Sequence, residues 1–164
     1  MSETTTPPES VPARPWMRRQ PGQLIGKGHP AGDFLEAYAW TLLDEGTGLL
    51  RVRAHLPAHV KNPRGQLFGG FTPTYVDLIA LLTVRTGQPR DHGMLPTWLA
   101  TTNMRLDYFE PIVGPHFVID SRLLKQRGRT TVVETRFFDP DDTLAVFALT
   151  TIRSVALDRP LGDG

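Results

Sequence analysis

Residues 62–87, NPRGQLFGGFTPTYVDLIALLTVRTG, leave this chain few choices. A glycine-rich loop runs into an apolar stretch that carries one formal charge between Gly70 and Val84, at Asp77. A helix that is apolar around most of its circumference must be largely buried, so other segments have to wrap it. It is expected to begin near Gly69 or Gly70, because Pro73 is tolerated only in the first turn or so. It should end at Thr86, with Gly87 just past the last turn and Pro89 beyond it. A lone carboxylate in such a helix is costly unless it is bonded, paired or kept for a task.

The wrapping material reads as β-structure. Residues 34–43 and 49–56 are expected as two strands joined by a turn at 44–48, Asp-Glu-Gly-Thr-Gly. In the second, Leu50, Val52 and Ala54 alternate with Arg51, Arg53 and His55, the pattern of a half-buried strand. After the helix, residues 97–108, 116–126, 130–138 and 143–155 are long, β-branched and aromatic. Between them, residues 110–115, Arg127-Gly128-Arg129 and Asp139-Pro140-Asp141-Asp142 are good turn material, which favours antiparallel neighbours. The expected class is α+β, with a single long helix held against a curved antiparallel sheet.

At 164 residues the chain is long enough for one domain with a proper core. Residues 1–22 are rich in Pro, Ser, Thr and Glu and are expected to form a mobile arm. The domain then spans 23–155, and 156–164 is a short tail. Residues 26–30, GKGHP, lack the spacing of a phosphate loop and read as a turn. A net charge of +1 gives no electrostatic reason to expect nucleic acid or an anionic membrane as partner. With no cysteine there is no disulfide, thiolate nucleophile or zinc–thiolate site. The N-terminus has no apolar core of a signal peptide, and the longest apolar run falls short of the about 20 residues a membrane span needs. A cytoplasmic protein is expected.

Asn62-x2-Gly65-x3-Gly69-Gly70-x6-Asp77 resembles the motif of hotdog-fold acyl-CoA thioesterases, in particular their phenylacetate-degradation (PaaI-like) branch. The resemblance continues through residues 101–111, TTNMRLDYFEP, and the hairpin 124–129, LKQRGR, and covers roughly residues 34–154. The family usually has His before the glycine pair, where this chain has Phe68. The resemblance implies a hotdog fold and hydrolysis of an acyl- or aryl-acyl-CoA thioester. It implies no metal and no separate cofactor, since coenzyme A is part of the substrate.

Gly69 and Gly70 offer backbone N–H groups at the positive end of a helix dipole, suited to a developing oxyanion; they also suit a tight turn. Asp77 is the candidate base or nucleophile, set against the alternative of a carboxylate that plugs the core. Gly69 and Asp77 are eight residues apart, about 12 Å along a helix axis, so they cannot both touch one carbonyl. A site using both takes them from two subunits, which makes a homodimer with two equivalent sites part of the expectation. The family's dimers have this arrangement, and a dimer of dimers is open.

By its match to the family, Asn62 would orient the water or the thioester; as a plain loop Asn it would make a local turn. Thr101 aligns with a position where relatives place a hydroxyl near the nucleophile, although strand threonines mostly fill a β surface. Phe68 stands beside the glycine pair as a substrate-binding candidate, and with Phe71, Tyr75 and Trp98 it lines a pocket or belongs to the core. Lys125, Arg127 and Arg129 form a basic turn that either grips coenzyme A phosphates or is solvated. The five histidines lack the context of a metal site, and there is no G-x-S-x-G nucleophile elbow. The main competitor to an enzyme is a non-catalytic acyl-CoA-binding or sensing dimer, which Phe68 favours and a retained Asp77 disfavours. A hydratase fits less well, because such enzymes usually pair an acid with a His.

Overall fold

The computed structural model describes residues 15–86 and 97–156. Two helices and six strands follow in order: α1 (Pro30–Phe34), β1 (Thr41–Gly46), β2 (Leu49–His55), α2 (Thr72–Thr86), β3 (Thr97–Tyr108), β4 (His116–Arg127), β5 (Thr130–Phe138) and β6 (Leu144–Ala156). All strands pair antiparallel in one sheet of order β1-β2-β4-β5-β6-β3. Helix α2 packs on five of them, β2 through β6. This is the α+β hotdog arrangement that the resemblance implies.

The core follows from the two periodicities. Tyr75, Val76 and Ile79 of α2 are fully buried against Leu50, Val52 and Ala54 of β2, Phe117 and Ile119 of β4, and Phe137 of β5, while Ala80 packs with Leu99, Val133 and Ile152. Tyr75 stacks on Trp40 at 5.4 Å and meets Phe117 edge-on, so it is core and not pocket lining. Burial, with Glu36 nearby, raises its phenol above the ordinary range, and the hydroxyl donates to the His55 carbonyl. Deeper along the helix, the Thr83 hydroxyl donates to Ile79 O and lies within hydrogen-bond distance of Ser121 Oγ, both at 2.8 Å, and Ser121 reaches Thr135. These buried hydroxyls satisfy one another and pin α2 to β4 and β5. At the far end the Thr86 hydroxyl accepts the Gly48 N–H at 2.9 Å, tying the helix to the β1–β2 turn.

Helix α2 starts at Thr72, two to three residues later than the sequence suggests, with Pro73 in its first turn. The expected stop signals at Gly87 and Pro89 lie outside the described residues. The expected strand over 34–43 is corrected. That segment holds the end of α1, a 3-10 turn at Ala37–Ala39, and only the beginning of β1. Pro30 opens the short helix and His29 caps it, its Nδ1 accepting the Gly32 N–H at 3.0 Å. Leu35, Ala37 and Trp40 then all turn inward. The 44–48 turn is also shorter than expected, because β1 runs on to Gly46.

Upstream, the Trp16 carbonyl accepts the Gly26 N–H and Arg19 pairs with Glu45 at 2.7 Å. Residues 1–14 and 157–164 lie outside the described part. Among the described residues no helix is long and apolar enough to cross a membrane.

Candidate active site along one helix

The first part of the site is the loop before α2. Asn62 shapes it: its Oδ1 accepts the N–H groups of Arg64 at 2.9 Å and Gln66 at 3.1 Å, and its Nδ2 donates to Gln66 Oε1. Gly65 sits in the middle at φ 76°, a left-handed conformation that favours glycine. The side chain that the motif marks as a substrate orienter thus makes a local turn. Strand-like bonds from Leu67 N–H to Ile112 O and from Phe68 N–H to Val60 O then anchor the loop to the body.

Phe68 begins a tight turn in which Phe71 N–H donates to Phe68 O at 2.9 Å and Thr72 N–H donates to Gly69 O at 3.3 Å. Both carbonyls face the helix, and the N–H groups of Gly69 and Gly70 have no acceptor among the described residues. The two glycines are exposed. A Cβ at Gly70 would stand 2.6 Å from the Phe68 ring, which lies over it. Tyr108, at the end of β3, donates its hydroxyl to Gly69 O at 2.9 Å. An open cleft of about 250 Å³ lies here, lined by Gln66, Gly69, Thr72, Tyr108, Glu110 and Val146 among others.

The second part sits halfway along α2. Asp77 is half-buried, not fully enclosed, because it lies on a stripe with Thr74, Leu81 and Arg85 that the chain's own sheet leaves partly open. Its Oδ1 accepts a short hydrogen bond from the Thr101 hydroxyl. Thr101 stands at a bulge in β3, where the register to β6 shifts between Thr101 and Asn103. Bulges re-aim side chains and are common beside functional sites. Among the described residues no group of three or more His, Asp or Glu is placed to hold a metal ion.

The structure brings Asp77 to Thr101 and Gly69 to Tyr108, but it keeps the two pairs apart. Asp77 is not among the residues lining the cleft at Gly69. Eight residues of helical spacing put about 12 Å between Gly69 and Asp77 along the axis. Phe68 is half exposed, at 51%, and packs edge-on to Phe71, which in turn meets Phe34. Trp98 is exposed on β3. Lys125, Arg127 and Arg129 are all exposed around the β4–β5 turn.

Two partnerships were not legible in the motif. His55 contacts the Glu36 carboxylate through Nε2. Tyr108 falls inside the stretch that carries the resemblance, but nothing in the sequence joins it to a glycine 39 positions away.

The model of the Thioesterase superfamily matches residues 64–146, just over half of the chain, and the protein belongs to that superfamily. The match spans the glycine pair, Asp77, Thr101 and Tyr108. The fold is similar to that of a thioesterase from Haemophilus influenzae, with a TM-score of 0.66 at 12% identity over 79% of this chain and 85% of the other. It is also similar to a phenylacetic acid degradation-related protein from Ralstonia eutropha, with a TM-score of 0.63 at 19% identity over 77% and 91%. A hypothetical thioesterase from Streptococcus pneumoniae, solved with coenzyme A, gives a TM-score of 0.61 at 16% identity over 73% and 88%. At such identities the likeness is one of fold. A search of curated proteins gives no match.

Proposed function

We propose that the protein is an acyl-CoA thioesterase of the PaaI-like kind, working as a dimer with composite sites. The observation that carries this is Asp77: a carboxylate on the uncovered stripe of α2, held by Thr101, in a chain of the Thioesterase superfamily. Asp77 acts as base or nucleophile. As base it takes a proton from water while the hydroxide attacks the thioester carbonyl carbon. Electron density collects on the carbonyl oxygen, and the Gly69 N–H at the start of α2 stabilises it. Collapse breaks the C–S bond, and the coenzyme A thiolate leaves with the proton that Asp77 had taken. As nucleophile, Asp77 would attack the carbonyl itself and expel the coenzyme A thiolate by breaking the C–S bond, forming an anhydride that water then opens.

The dimer supplies what one chain keeps apart. Strand β3 is an edge of the sheet, and a free edge of twelve residues is a template for another strand. It carries Thr101, which holds Asp77, and Tyr108, which holds Gly69. The two lie seven residues apart, about 23 Å along a strand. Antiparallel pairing of two β3 strands about a two-fold axis near Met104 sets the Tyr108 end of one beside the Thr101 end of the other. Phe68 borders the bound acyl group, Gly70 adds a second N–H donor, Asn62 shapes the loop that presents both glycines, and Lys125, Arg127 and Arg129 meet the coenzyme A phosphates.

The experiment is thiol release from short, medium, long and aryl acyl-CoAs, with wild type beside Asp77→Ala of confirmed fold and assembly. Turnover that disappears with Asp77 is the expected result. Acyl-CoA binding without turnover by wild type would replace the reading by a sensor, which Phe68 at the usual His position favours. Undiminished turnover by Asp77→Ala would overturn the mechanism.

A further inference from the structure

The Tyr108 hydroxyl, 2.9 Å from Gly69 O, has a consequence for the atoms on the other side of that peptide. A trans peptide is planar, with its C=O and N–H on opposite edges. Fixing Gly69 O therefore aims the Gly70 N–H. Without Tyr108 this peptide would be held through its oxygen by the Thr72 N–H alone, at 3.3 Å, beyond the usual range for such a bond. It also lies between two exposed glycines, the residues with the widest backbone freedom.

We propose that Tyr108 is a positioning residue for the Gly69–Gly70 donor pair, fixing the peptide whose N–H points into the oxyanion site. This rests on the thioesterase reading and adds to it a residue outside the glycine–aspartate motif. The preceding peptide needs no such clamp, because Phe68 O already accepts a bond of 2.9 Å from Phe71. Tyr108 thus completes a two-donor site by holding its looser half. A bond received at the carbonyl also polarises the same peptide's N–H and makes it the better donor. Core packing does not account for Tyr108, which is 53% exposed; a Cβ added at Gly69 would stand 3.8 Å from its ring, an ordinary van der Waals distance.

The test is Tyr108→Phe, which keeps the ring and removes the hydroxyl, read in two ways. Backbone amide resonances of glycine-labelled protein report the peptide directly: the Gly70 amide is expected to shift, and that of Gly128, in the β4–β5 turn, to stay. Steady-state kinetics on a thioester that wild type hydrolyses are expected to show kcat lower by about tenfold with KM within about twofold, the split of an interaction that matters in the transition state. A Gly70 amide that does not move, or a loss carried by KM alone, would overturn the proposal. A moved amide in a protein whose wild type hydrolyses no thioester would support the clamp and remove the thioesterase reading instead.

Discussion

The two ends of the candidate site share one helix and differ in almost every other respect. At the N-terminal end the working atoms are backbone N–H groups in an exposed turn, placed by the carbonyls on their far side and by Tyr108. Halfway along, the working atoms belong to one side chain, Asp77, oriented by one hydroxyl on a bulged edge strand. In the proposed mechanism the first end polarises a carbonyl and the second moves a proton or attacks. The difference teaches that a rigid helix can fix two chemical functions yet hold them too far apart to meet on one substrate. In the proposed dimer, the sheet edge that carries both tethering residues, Thr101 and Tyr108, is where a second chain completes each half.

Substitutions separate the halves by size of effect. Asp77→Ala is expected to lower the rate of thiol release by about a thousandfold or more, since both candidate roles of the carboxylate vanish together. Its fold should be retained, because Asp77 is half-buried and, among the described residues, its side chain bonds to Thr101. Gly69→Pro removes an N–H at the second position of a turn, where proline is favoured. Loss of one oxyanion donor of this kind costs about a hundredfold or more in kcat. Thr101→Val keeps the shape and deletes the bond to Asp77, and a fall of about tenfold is expected. An Asp77 variant milder than Thr101→Val would break the comparison, because Thr101 acts only through Asp77.

Much of the frame was legible in the sequence for plain physical reasons. The apolar run after Gly70 allows only a buried helix, and the alternation in residues 49–56 and the β-branched stretches after residue 97 allow strands. Residues 34–43 misled because Phe34, Leu35, Tyr38 and Trp40 have strand-like composition, while their burial is decided by α1, the 3-10 turn and the stack on Tyr75. In the site, the motif pointed to Gly69 and Asp77, and the alternative of a local turn for Asn62 is the one its hydrogen bonds make. The motif could not show Tyr108 reaching Gly69, a contact that exists only once β3 lies beside the helix start.

The central claim, that one chain's glycine end works with its partner's Asp77, is tested most directly by mixing two inactive variants. Asp77→Ala and Gly69→Pro chains carrying different affinity tags are co-expressed, and the mixed dimers are isolated through both tags. Each mixed dimer then has one composite site with both groups intact and one with neither. The account predicts thiol release at about half the wild-type rate per dimer, far above either parent. Mixed dimers no more active than the parents would contradict it.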